Sequence, residues 1–111
     1  MYQYKAKLER VVDGDTVHAM VDLGFYTWRK INIRLFDIDA PETRTRNEDE
    51  KVKGFAAKQR LIEILEANEN EFELISHSID KYGRTLGTII IAEKNINQQL
   101  VQEGHAVKYG K

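Results

Sequence analysis

Three short segments set charged side chains beside turn-forming residues: Asp13-Gly14-Asp15-Thr16, the stretch from Arg34 to Glu42, and Asp80-Lys81-Tyr82-Gly83-Arg84. Grouped carboxylates offer the oxygen donors that a hard cation such as Ca²⁺ or Mg²⁺ prefers. Arginines grouped with them offer a planar fork that grips phosphate oxygens. Together these groups are the equipment for hydrolysing a phosphodiester. Each segment also has a plainer reading. Asp-Gly between apolar runs is ordinary hairpin composition, loop acids are usually solvated, and an arginine in a surface ion pair contributes little. The weight of the argument rests on the segments coming together.

If they do, Asp15 at a strand entry and Asp39 supply carboxylates to one cation. Pro41 pushes Ala40 toward an extended conformation, from which its backbone carbonyl can turn to the same ion. Glu42, its approach stiffened by Pro41, suits the general base that deprotonates an attacking water. Arg34 projects from the polar face of a strand, and Arg84 follows a tight turn at Gly83, so the two can close on a phosphate from opposite sides as its charge grows. Lys81 offers a point charge and Tyr82 a stacking face, although Tyr82 equally suits the edge of a core. His18, His77 and His105 fit no zinc-binding spacing and receive no role.

The elements that must position these groups follow from pattern. Lys5 to Val12 and Asp15 to Leu23 form a hairpin through Asp13-Gly14, with Val17, Ala19 and Val21 alternating. Gly24 allows a second reversal into a strand from Phe25 to Leu35. Ile31, Ile33 and Leu35 point one way there, while Asn32 and Arg34 point the other. Trp28 and Phe25 are expected in the core. Pro41 ends the strand region, and the acids Glu48-Asp49-Glu50 open a helix to about Ala67 whose buried stripe is Phe55, Ala56, Ile62 and Leu65. Strands from Glu71 to His77 and Leu86 to Ala92 flank the Asp80–Arg84 turn. Asn95 with Gln98 caps a short helix through Glu103, stopped by Gly104. The expected fold is β-rich α+β: a five-stranded Greek-key barrel of the OB type with two packed helices, as one domain over residues 1–111.

Composition narrows the function classes. At 111 residues and 41% hydrophobic content the chain suits one core. Its 17 basic and 18 acidic side chains nearly cancel, so any contact with nucleic acid must be local rather than a global field. The absence of cysteine excludes disulfides, a thiolate nucleophile and cysteine-based zinc sites. No apolar run reaches membrane-spanning length and no signal segment opens the chain. The expectation is a monomer without membrane contact, cytoplasmic as given, with the mature form of an exported precursor left open.

Taken together, Val11-Val12-Asp13-Gly14-Asp15-Thr16-Val17, Arg34-Leu35-Phe36-Asp37-Ile38-Asp39-Ala40-Pro41-Glu42-Thr43 and Asp80-Lys81-Tyr82-Gly83-Arg84 resemble the signature of the staphylococcal nuclease family. With Ile96 to Lys108, which looks like that family's second helix and exit, the resemblance covers nearly the whole chain. It implies an OB-fold barrel that binds one Ca²⁺ and hydrolyses DNA and RNA by in-line water attack, leaving 3′-phosphate ends. On that pattern Asp15 and Asp39 match the metal carboxylates, and Ala40 the backbone carbonyl. Glu42 matches the general base, and Arg34 and Arg84 the phosphate-clamping arginines. Asp13 matches an acid just outside the metal ligands. Lys81 and Tyr82 match residues touching the nucleotide, and Tyr109 lies close to where the family places further nucleotide-holding tyrosines. The best-known members continue past the point matching Lys111, so a reduced grip on substrate is expected. The competing expectation is a catalytically silent OB-fold module that binds nucleic acid or protein.

Overall fold

Residues 2–109 are described by the structure, a computed structural model. In chain order the elements are β1 (Tyr2–Asp13), β2 (Thr16–Asp22), β3 (Trp28–Leu35), β4 (Ile38–Asp39), α1 (Glu48–Glu66), β5 (Glu71–Ile79), β6 (Thr85–Ile91), β7 (Lys94–Asn95), α2 (Ile96–Gln102) and β8 (Val107–Lys108). The long strands hydrogen-bond in the order β3-β2-β1-β5-β6, and a parallel pairing of β3 with β6 through Ile33–Leu35 and Thr85–Gly87 closes the ring. This is the expected five-strand barrel with two helices, to which the short strands β4, β7 and β8 are added. Irregularities between Leu8 and Arg10 and between Val11 and Asp13 bend β1. Such bulges let one strand turn a barrel corner and pair on both sides, and β1 pairs with both β2 and β5.

Alternation along β2 buries Val17, Ala19 and Val21 and leaves Thr16, His18, Met20 and Asp22 half-exposed. On β3, Ile33 and Leu35 turn inward beside Leu74 of β5 and Ile89 of β6. Leu61 and Leu65 of α1 and Ile96 and Leu100 of α2 complete the core, each fully buried side chain contributing about 1.5–3 kcal/mol. Asn47 caps α1 by accepting from Glu50 N–H at 3.0 Å, and Asn95 caps α2 by accepting from Gln98 N–H at 3.0 Å. Among the described residues no helix is long and apolar enough to cross a membrane.

Two expectations are corrected. The buried stripe of α1 is Gly54, Ala57, Leu61 and Leu65, whereas Phe55 and Ala56 face solvent and Ile62 lies at the core's edge. Close approach explains the difference. A Cβ on Gly54 would stand 2.4 Å from the Glu42 carbonyl oxygen, and one on Gly14 would stand 2.6 Å from Ala57 Cβ. The first turns of α1 lie against backbone, so small residues rather than large apolar ones occupy the contact. Phe25 and Trp28 are also not core residues. Gly24–Thr27 is a tight turn closed by Thr27 N–H to Gly24 O at 2.9 Å, with Phe25 and Tyr26 at φ 54° and 62°. Strand β3 therefore starts at Trp28, and these aromatics project beyond the barrel.

Asn97 locks α2 to the barrel. Its buried amide accepts from Ile89 N–H at 3.1 Å and donates to Phe36 O and Gly87 O at 3.1 Å each. Gly87 O also accepts from Phe36 N–H at 2.7 Å, so Asn97→Ala would leave Ile89 N–H and Phe36 O without this partner and should cost about 2–4 kcal/mol in denaturant unfolding; a loss below about 0.5 kcal/mol would contradict this lock. A second tie joins the helices: Arg60 of α1 donates to Glu103 at 2.6 and 2.9 Å, and Gln99 adds a bond at 2.9 Å. The bonds from Arg60, then that from Gln99, hold the Glu103 carboxyl down to about 2 against an ordinary 4.5. The unfolded chain therefore binds the proton first, and stability present above pH 4.5 is lost as pH falls toward 2. Arg60→Ala should lower the thermal midpoint more at neutral pH than at pH 2, and an equal lowering at both would remove Glu103 from the acid transition.

Candidate active site

Strand β3 and the segment after it bring the first charged groups together. Because Leu35 faces the core, Arg34 faces out, and its side chain stays mostly covered, at 14% exposure. Its Nη1 donates to Leu35 O at 3.1 Å and Ile38 O at 2.9 Å, which fixes the guanidinium against the chain reversal beyond β3. Its Nη2 then lies 3.2 Å from Asp39 Oδ1 and 3.5 Å from Asp15 Oδ2. The two carboxylates singled out in sequence thus converge on one arginine.

Asp15 is the unusual member of this group. It is 7% exposed, at the head of β2, with Oδ2 accepting from Ala40 N–H at 2.8 Å and Oδ1 from the Thr16 hydroxyl at 3.0 Å. Burial pushes its carboxyl above the ordinary range, the Ala40 N–H and Arg34 pull the other way, and the negative charge of Asp39 pushes up again. A desolvated carboxylate beside a second carboxylate is left with unmet demand for positive charge. Among the described residues no three His, Cys, Asp or Glu side chains are grouped so as to hold a metal ion. The side-chain oxygen donors gathered here are those of Asp15 and Asp39.

The Glu42 loop is held from two sides. Glu42 N–H donates to Glu50 at 3.3 Å, and Gly54 of α1 lies directly against its carbonyl. One residue on, the Thr43 hydroxyl and N–H donate to Asp13 Oδ1 at 2.7 and 3.3 Å. Asp13 thereby braces the loop from the β1–β2 turn. The Glu42 side chain faces solvent, with no hydrogen bond to its carboxylate among the described residues.

Arg84 approaches from the β5–β6 turn. Asp80 Oδ1 accepts from the Tyr82 and Arg84 N–H groups at 2.9 Å each, and its Oδ2 accepts from Arg84 Nε at 2.8 Å. Burial works against the charged Asp80, but these bonds outweigh it and hold its carboxyl below the ordinary value. The Asp80 bond uses Nε, and among the described residues the terminal amino groups of Arg84 have no hydrogen-bond partner. Arg84 and Lys81 stand 5.5 and 5.3 Å from the Tyr82 ring centroid. Tyr82 is exposed, away from the core. Tyr109 N–H donates to Asp37 O at 2.9 Å, which folds the end of the chain onto the same region. Arg34, Lys81, Tyr82, Arg84, Leu86 and Tyr109 all line one open cleft of about 440 Å³.

Arg34 thus joins two groups: it contacts Asp15 and Asp39, to which Ala40 is tied through Asp15, and it lines the cleft with Lys81, Tyr82, Arg84 and Tyr109. Sequence reasoning missed the positioning residues Gly54, Thr43 and Asp80. Only Asp80 carried a signal, since an aspartate opening a turn commonly caps the N–H groups that follow it.

A model of the family described as staphylococcal nuclease homologue matches residues 32–111. The chain is 32% identical over 115 residues to a micrococcal nuclease of Shigella flexneri, a match covering 96% of this chain and 59% of that protein. It is 30% identical over 100 residues to endonuclease YncB of Bacillus subtilis, covering 89% of this chain and 45% of that one. A thermonuclease of Staphylococcus hyicus is likewise 30% identical over 100 residues, covering 90% and 56%. The chain spans between 45% and 59% of the length of these relatives. The closed barrel, the convergence of the charged segments and the match over most of the sequence agree: the chain belongs to the family of staphylococcal nuclease homologues.

Proposed function

We propose that the protein is a nuclease that hydrolyses phosphodiester bonds of DNA, RNA or both with the help of one divalent cation, Ca²⁺ or Mg²⁺. The observation carrying this reading is that Asp15 and Asp39 both lie within 3.5 Å of Arg34, which lines one cleft with Arg84. Nuclease names among the relatives support it.

The donor set suits a hard cation: two carboxylates and the Ala40 carbonyl, with room for water because Asp39 is 57% exposed. Bound there, the cation would neutralise charge on the phosphoryl oxygens. The chain's own residues account for the remaining work. Glu42, free of partners, accepts the proton of the attacking water. Arg34 and Arg84 hold phosphate oxygens whose charge grows in the transition state. Two carbonyls hold Arg34 Nη1 in place, so a phosphate is met by Nε and by Nη2, the latter in exchange for its carboxylate contacts. Lys81, Tyr82 and Tyr109 hold the nucleotide beside the reacting phosphate, and expulsion of the 5′ oxygen leaves a 3′-phosphate end.

Incubating the protein with single- and double-stranded DNA and RNA, in Ca²⁺, Mg²⁺ or chelator, should give cleavage that chelation abolishes. Retention of single strands without cutting under either cation would make the domain a binding module instead. Glu42→Gln should lower the rate about 10²- to 10⁴-fold with folding intact; undiminished cutting would remove Glu42 from the mechanism. Gly54→Ala tests positioning. The added methyl must displace the Glu42 backbone, costing about 1–3 kcal/mol of stability and lowering kcat more than it changes KM. Unaltered kcat in a folded Gly54→Ala protein would show that α1 does not set the position of Glu42.

A further inference from the structure

The outward face of β3 continues away from the cleft in a pattern that the proposed site does not use. The register of β3 against β2 is unbroken from Arg34 to Trp28, so Trp28, Lys30, Asn32 and Arg34 share one face. Trp28, Lys30 and Asn32 are exposed. Beyond Ile33 the strand has no partner on its β6 side among the described pairings, which leaves this stretch open along one edge. The face ends at the Gly24–Thr27 turn, where Phe25 and Tyr26 are fully exposed and hold left-handed backbone that aromatic residues rarely adopt. Two aromatic side chains that cover no core and sit on strained backbone mark a contact surface.

Charge selects the occupant. Arg10 pairs with His18 of β2, which pairs with Asn32 of β3, and Lys30 stands one same-face step along from Asn32. Burial first, then Arg10 and Lys30, hold the His18 imidazole below its ordinary value, with Glu9 opposing them. Lys30 is 3.5 Å from Glu9, but the pair is exposed and weak enough to be exchanged for a phosphate. Same-face residues on a strand stand about 7 Å apart, a step comparable with the repeat of an extended nucleic-acid strand. Aromatic rings interleaved with cations are the chemistry that stacks bases and follows a phosphate backbone.

We propose that this face, from Arg34 through Asn32 and Lys30 to Trp28, is a track for the single-stranded nucleic acid flanking the scissile phosphate, with the exposed turn as its far stacking platform. The proposal deepens the nuclease reading and rests on it for its direction. It makes the protein a better cutter of oligonucleotides than of dinucleotides, with the added grip lying outside the catalytic cleft.

Trp28 is the sole tryptophan of the chain and reports occupancy directly. A single-stranded pyrimidine octamer should quench its fluorescence saturably, in chelator and, as a cleavage-resistant phosphorothioate, in Ca²⁺, while a dinucleotide should not. Trp28→Ala should raise the octamer KM about tenfold, and Lys30→Gln should raise it several-fold and flatten its salt dependence by about one unit of slope. Both should leave dinucleotide cleavage unchanged. Cleavage of the octamer without quenching, or variants with parental octamer KM, would overturn the track and leave the nuclease reading standing. Quenching without cleavage in any cation would support the track and end the nuclease reading. Emission shifted by phosphatidylserine vesicles, with the octamer silent, would overturn the proposal in favour of a membrane surface.

Discussion

A carboxylate withdrawn from water is the constraint around which this end of the molecule is built. Asp15 is almost fully covered, so its charge must be met by groups the protein itself supplies. The Thr16 hydroxyl, the Ala40 N–H and the Arg34 guanidinium meet it in part, and Asp39 adds a second negative charge to the same place. The arrangement is more anionic than a structural ion pair needs. In the proposed account, the cation supplies the missing charge, and Arg34 is left to share itself between the carboxylates and a phosphate.

Holding such a centre requires the surrounding elements to agree on position. The β1–β2 turn carries Asp13 and Asp15, the reversal after β3 carries Asp39 to Thr43, and α1 wedges between them through Gly54 and Ala57. Asp13 ties the turn to the loop through Thr43. On the other side, Asn97 joins α2 to β6 and to the Phe36 carbonyl, and so supports the wall from which Arg34 projects. The groups proposed to act in catalysis lie on loops and strand ends, while the ties beneath them are buried amides, glycine contacts and charge-assisted bonds.

Much of this was legible beforehand, because the strands obey a two-residue alternation and the charged residues stand beside turn signals. The hairpin of β1 and β2, the outward placement of Arg34 and the cap at Asn95 all follow from local pattern. What pattern does not contain is distance across the fold. Gly54 reads as a tolerated helix glycine, and only the Glu42 carbonyl lying against it reveals why a side chain there would not fit. Phe55 reads as core by hydrophobicity, yet the helix turns its small residues inward for the same reason. Trp28 and Phe25 invite the same error, since aromatic residues are usually buried; here Phe25 stands on a tight turn and Trp28 on the outer face of β3. Tyr109 could be placed near the site by resemblance, but its seat against Asp37 depends on how the chain returns after α2.

The central claim is that the Asp15–Asp39 pair is one half of a cation site completed by a metal ion. Calorimetric titration of Ca²⁺ into the protein and into Asp39→Asn tests it without substrate or turnover. Asp39 is largely exposed, so the substitution leaves the core untouched. The account predicts one Ca²⁺ bound per parent chain and binding lost or strongly weakened in the variant. No binding to the parent, or equal binding to both, would contradict it.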